Sequence, residues 1–164
     1  MSETGTHRST FGPAVFYRDP RAALEWLEKA FGFETTLLIT DGAGNVAHSE
    51  MSFGNGYIMV GGEWSGSIAW EDPAMRNIKA PGSVGGTNTQ SVHVQLTDGI
   101  DAHCERARAA GAKIIAAPET QPYGDRTYRA LDPEGHMWTF GQTVQAFAPE
   151  EFDASTGLKT EFSR

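Results

Sequence analysis

The sequence predicts an α+β fold in which a strand–helix–three-strand unit, βαβββ, occurs twice. Three observations carry that expectation. Asp19 and Asp98, Gly32 and Gly111, and Gly56 and Gly135 each stand 79 residues apart. A constant offset at a helix start, a helix stop and a hairpin glycine marks an internal repeat. Apolar residues recur at helical spacing after each aspartate, and short alternating runs follow each helix stop.

Residues 1–11 are polar and aperiodic and read as a loose leader. The first module spans 12–62. Pro13–Tyr17 is a short apolar run suited to a strand. Asp19 is a good N-cap, and Pro20 suits the first helical position, whose N–H has no intrahelical partner. Ala23, Leu24, Leu27, Ala30 and Phe31 form one apolar stripe, and Gly32 supplies a left-handed stop. Residues 34–40 suit a strand and Asp41–Asn45 a hairpin connection. Val46–Phe53 and Tyr57–Val60 are two more strands, joined by Gly54, Asn55 and Gly56.

Residues 63–90 form a connecting loop containing Trp64, Trp70, Pro73, Pro81 and the run Gly82–Gly86. A loop this long covers a site, contacts a partner or moves. Its glycines are not a phosphate loop, because no Gly-Lys-Ser/Thr follows them. The second module spans 91–143. Val92–Leu96 alternates as a half-buried strand, Asp98 caps a helix with Ile100, Cys104 and Ala107 on one face, and Gly111 ends it. Strands follow at Lys113–Ala117, Arg126–Leu131 and His136–Phe140, the last two around the turn Asp132–Gly135. In the tail, 144–164, Pro149–Phe152 fits either a short docking helix or a frayed end.

Composition narrows the function. Lys and Arg number 13 against 21 Asp and Glu, for a net charge of −8 over 164 residues. That balance repels phosphate backbones, so no nucleic-acid partner is expected. With 39% hydrophobic and 21% charged residues the chain has enough apolar material for a core. No apolar run approaches the roughly 18 residues of a membrane span, and the first ten residues lack the basic and apolar regions of a secretory signal. The single Cys104 excludes an internal disulfide and a cysteine-based zinc site. A soluble, acidic, cytoplasmic protein is expected.

Tyr17–Leu24 (YRDPRAAL) with Ala30–Phe33 (AFGF) resembles the first module of the glyoxalase/bleomycin-resistance/extradiol-dioxygenase superfamily, the vicinal oxygen chelate proteins. Asp132–His136 (DPEGH) with Trp138–Phe140, Ala109–Gly111 and Gln121–Arg126 (QPYGDR) are similar to its second module. The resemblance covers residues 12 to 143. It implies a single glyoxalase-like domain, a curled, incompletely closed mixed-sheet barrel with helices outside and a cavity within. It also implies a homodimer.

Strand parity then sorts the side chains. Leu131 is expected opposite Met137, Arg129 opposite Thr139 and Thr127 opposite Gly141. The 79-residue offset puts Glu50 beside Val60, with His48 on the same face. Ser91, His93, Gln95 and Thr97 point into the cavity, as do Ala14 and Phe16, while Trp138 and Phe140 lie under a helix. The four family metal positions fall on Gly12, Val60, Ser91 and Thr139, none of which is a useful divalent ligand.

The expected function is therefore metal-free binding of a small cationic or aromatic molecule, with no cofactor. Glu50 would meet a cation and Phe16 provide an aromatic wall. His48, His93, Gln95, Arg129 and Thr139 would orient polar groups. Otherwise Glu50 is expected to pair with Arg129 or a ligand amine, and His48 to donate to backbone or water. The alternative is a lyase, isomerase or dioxygenase with a displaced His48–Glu50–His93 metal site, or acid–base chemistry by His48 and Glu50. His103, Cys104 and Glu105 diverge on their helix and do not share an ion. Cys104 reads as core filler and His136 as structural, while Arg126 either binds turn carbonyls or serves a ligand. Trp64 and Trp70 are either lid aromatics over a flat ligand or interface core.

Overall fold

A computed structural model describes residues 8–69 and 71–163. Its chain forms two compact units. The first holds the residues up to Asn88 together with Pro133–His136, and the second holds Thr89–Asp132 and Met137 onward. Each contains one open, mixed four-stranded sheet of βαβββ connectivity, so the α+β expectation stands.

In the first unit β1 (Ala14–Tyr17) leads into α1 (Pro20–Phe31), followed by β2 (Glu34–Thr40), β3 (Val46–Phe53) and β4 (Gly56–Gly62). The sheet order is β1-β4-β3-β2, with β1 and β4 parallel and the other pairs antiparallel. The Asp19 carboxylate accepts from the Ala22 amide at 3.0 Å and caps α1, and Gly32 closes it at φ 80°. Ala23, Leu24, Leu27, Ala30 and Phe31 are all buried, so the apolar stripe is the face laid on the sheet. Asp41 organises the β2–β3 hairpin by accepting from the amides of Ala43 and Asn45, both at 2.9 Å.

The hairpin register corrects the offset argument. Glu50 pairs with Met59 rather than Val60, because β3 turns into β4 through two residues and Phe53 faces Gly56. The second module's hairpin has a longer turn, with Leu131 opposite Met137, Arg129 opposite Thr139 and Thr127 opposite Gly141, as expected. The repeat therefore slips by one residue across the first turn. A slip of one exchanges sheet faces: Val60 lies buried under α1 at 1% exposure, and Met59 takes the open face.

The second unit comprises β5 (Val92–Leu96), α2 (Ile100–Ala109), β6 (Lys113–Thr120), β7 (Asp125–Leu131) and β8 (Met137–Thr143), in sheet order β5-β8-β7-β6. Ile100, Cys104 and Ala107 are its buried helix face, and Trp138 and Phe140 lie fully buried. Two local expectations change. Gly99 at φ 72°, not Asp98, caps α2, and the Gln142 side chain accepts from the Ile100 amide at 3.0 Å in place of a capping carboxylate. β6 runs on past Ala117 through Pro118, which an edge strand tolerates because its outward N–H side needs no partner. The tail forms α3 (Pro149–Thr156), closed by Gly157 in the left-handed region. No helix among the described residues is long and apolar enough to cross a membrane.

Candidate functional site

The open face of the first sheet is one wall of a cavity of about 910 Å³; the other wall is the connecting segment. Phe16 from β1, His48 from β3 and Met59 from β4 line the sheet side, and Trp64, Ile68 and Met75 line the connector side. Two carboxylates fold the connector. Glu63 Oε1 accepts from the Ala80 amide at 2.6 Å. Burial pushes Glu63 up, but the Ser83 hydroxyl, the Ala80 amide, Lys79 and Arg18 outweigh it and hold the carboxyl below its ordinary value. Glu71 likewise gathers the amides of Ser65 and Gly66, the latter at 2.6 Å. Again burial opposes, and these hydrogen bonds prevail, lowering its pKa. The segment is thus pinned by hydrogen bonds to its own half-buried carboxylates.

Trp64 stands out chemically. Its indole Nε1 is buried without a hydrogen-bond partner, the one such side-chain atom among the described residues. Leaving a buried donor unmade costs roughly 1–3 kcal/mol. The Arg76 guanidinium lies 5.5 Å from the centre of its ring. Trp70, the other expected lid aromatic, lies outside the described residues.

Behind His48 sits Glu50, only 7% exposed. His48 Nε2 lies 3.0 Å from Glu50 Oε1, and Arg8 Nη2 donates to Oε2. The His48 hydrogen bond, opposed by burial and reinforced by Arg8, holds the Glu50 carboxyl below its ordinary value. An ionised Glu50 requires the ring to donate from Nε2. Within the first unit Arg8 supplies a guanidinium to Glu50, because residues 8–12 fold back over β4. Gly12 makes that path possible, since a Cβ there would stand 2.3 Å from the Tyr57 ring. Arg8 in turn lies 5.1 Å above the centre of that ring.

The second sheet's open face carries the other expected residues. His93 Nε2 lies 3.0 Å from Gln95 Oε1, and Gln95 Nε2 donates to Thr143 Oγ1 at 3.1 Å. Thr143 Oγ1 donates to Asp125 Oδ1 at 2.8 Å. Arg129 is exposed and Thr139, opposite it, half-buried. Gly141 keeps the network close: a Cβ there would fall 2.9 Å from Gln95 Oε1 and 3.0 Å from His93 Nε2.

Three further side chains take structural posts. His136 Nε2 donates to the Phe16 carbonyl at 2.6 Å, and Arg126 binds Asp101 at 2.7 Å rather than turn carbonyls. Cys104 is fully buried, and burial pushes its thiol up.

The four family metal positions hold no useful divalent ligand in this chain. Gly12 is pressed on Tyr57, Met59 replaces Val60, and Ser91 and Thr139 offer neutral hydroxyls. Within the first unit His48 and Glu50 do meet, which supplies two of the three ligands that the displaced site would need. Sequence reasoning missed Arg8, Tyr57, Glu63 and Glu71. For Glu63 and Glu71 the only signal was a carboxylate in an otherwise aperiodic segment.

Comparison with known proteins extends this picture. The model for the Glyoxalase/Bleomycin resistance protein/Dioxygenase superfamily matches residues 11–140. An uncharacterised protein of Mycobacterium bovis is 30% identical over 145 residues, 87% of this chain and 89% of that protein. The crystal structure of TioX from Micromonospora sp. ML1 is similar at a TM-score of 0.63 and 28% identity, covering 83% of this chain and 99% of TioX. A glyoxalase/bleomycin resistance protein/dioxygenase from Nocardioides shares the fold at a TM-score of 0.56 and 18% identity, covering 87% of this chain and 88% of that one.

Proposed function

The chain belongs to the Glyoxalase/Bleomycin resistance protein/Dioxygenase superfamily, and from that premise we propose that it binds a small aromatic or cationic molecule, without a metal, in the cavity of its first unit. The observation that carries this reading is the cavity itself. Its volume of about 910 Å³ falls in the range of small-molecule pockets, roughly 300–1,000 Å³. Its walls pair aromatic and thioether surfaces, Phe16, Trp64, Met59 and Met75, with a few polar groups, His48 and Ser65 among them. A flat ligand would stack on the rings. Glu50, held ionised behind His48, adds attraction for a positive group. Homodimer formation and residence in the cytoplasm belong to the same proposal.

The test is a titration of the purified protein with neutral 2-acetylnaphthalene, read by tryptophan fluorescence and thermal shift, with and without a chelator. Saturable binding that raises the melting temperature and ignores the chelator is the expected outcome. Absence of binding, or binding that needs added metal, would overturn the proposal.

A further inference from the structure

The pairing at Glu50 is lopsided. A carboxylate buried to 7% exposure needs a positive or donating partner, since burying an unpaired charge is costly. Arg8 needs far less in return, since its side chain is 57% exposed and water solvates the guanidinium when the pair opens. The corner therefore specifies the kind of group it holds more than Arg8 specifies the corner.

The shape of that group is also given. Tyr57 presents its ring face 5.1 Å from the guanidinium carbon, while Glu50 Oε2 accepts from one terminal nitrogen. A π-face on one side and a carboxylate at the edge suit a flat delocalised cation better than a compact ammonium. His48 holds the second carboxylate oxygen and itself lines the cavity, so the corner adjoins the space assigned above to the ligand through the His48 ring.

We propose that Glu50, Tyr57 and His48 form a receptor for an amidinium or guanidinium group, and that Arg8 is its intramolecular occupant. This inference rests on the cavity's being a ligand site and adds the ligand's charge class and a form of self-competition. Tethered four residues from Gly12, Arg8 acts at a high effective concentration, of millimolar order for short linkers. A ligand cation must displace it, so the measured affinity is reduced by the fraction of molecules in which Arg8 is withdrawn.

The experiment compares benzamidine binding to the full-length wild type, Arg8→Ala and the double variant Arg8→Ala/Glu50→Gln by isothermal titration, with 2-acetylnaphthalene titrated in parallel. Arg8→Ala should bind benzamidine at least ten-fold more tightly than wild type, and the double variant should lose that gain. Equal affinity of Arg8→Ala and wild type overturns the inference, as does a gain that survives Glu50→Gln. If the neutral naphthalene binds all three proteins while benzamidine fails these criteria, only this inference falls. If the naphthalene binds none, the cavity reading falls with it.

Discussion

In the first unit the open face of the sheet is covered by a stretch of main chain, whereas in the second it is covered by side chains that bond to one another. The two faces start from the same backbone. Phe16 pairs with Gly61 across β1 and β4, and Gln95 pairs with Gly141 across β5 and β8. In each case the glycine makes the notch into which the neighbouring strand's side chains lean. What changed is their chemistry, Ala14 and Phe16 in one copy and His93 and Gln95 in the other. The helix-facing positions stayed apolar in both, because they must be buried to hold a helix on a sheet. Divergence has therefore accumulated on the face that packing does not constrain.

The comparison breaks most severely if the helix-facing cores are not equivalent. Phe31→Ala and Trp138→Ala each remove a fully buried aromatic side chain, and each should cost about 3–5 kcal/mol in urea unfolding. Acid comes next. Glu50, Glu63 and Glu71 of the first unit have folded pKa values below their ordinary ones, as does Asp101 of the second. A depressed carboxylate contributes stability that is fully present above its unfolded value, about 4.3 for Glu. That contribution is lost as pH falls through the lower folded value. Glu63→Gln/Glu71→Gln should therefore flatten the acid limb of stability against pH, measured between about pH 5 and 3, more than Asp101→Asn does.

A smaller effect concerns the connector. Trp64→Phe keeps a ring and deletes the orphaned donor, so stability should hold or rise by up to about 1 kcal/mol; a clear loss would mean that the indole is satisfied in solution. The smallest effect distinguishes the notches. Gly61→Ala puts a Cβ 3.1 Å from the Phe16 ring, and Gly141→Ala puts one against the ends of Gln95 and His93. Both should change stability by less than about 1 kcal/mol. Only Gly61→Ala should weaken naphthalene binding, by moving Phe16 into the cavity.

Much of the fold was legible because it rests on local chemistry. Asp19, Pro20, Gly32 and the glycine at 135 announce their roles through capping and turn geometry. The errors arose where a local rule met a tertiary alternative. Gln142, a strand residue, displaced Asp98 from the start of α2, and a shorter turn at Gly54–Asn55 turned Val60 away from the open face. The candidate cavity was legible on its strand side, where parity brought out Phe16 and His48, which line it. Its other wall was not: Trp64, Ile68 and Met75 follow no period, and only the anchoring of Glu63 and Glu71 brings them together. Arg8 was hidden for a similar reason, since a polar residue in an aperiodic stretch carries no hint of the buried charge it meets.

The turn Pro133–His136 bears on how such a tandem gene can be taken apart. Its carboxylate at Glu134 accepts from the amides of Arg18 and Asp19, at 2.7 and 3.0 Å, and so finishes the entry to α1. Severing the chain between the copies would leave the amino-terminal fragment without four of its own residues. Expressed alone, that fragment should be poorly folded, and a synthetic peptide carrying residues 133–136 should rescue it only weakly; the tandem copies have become a single heritable part.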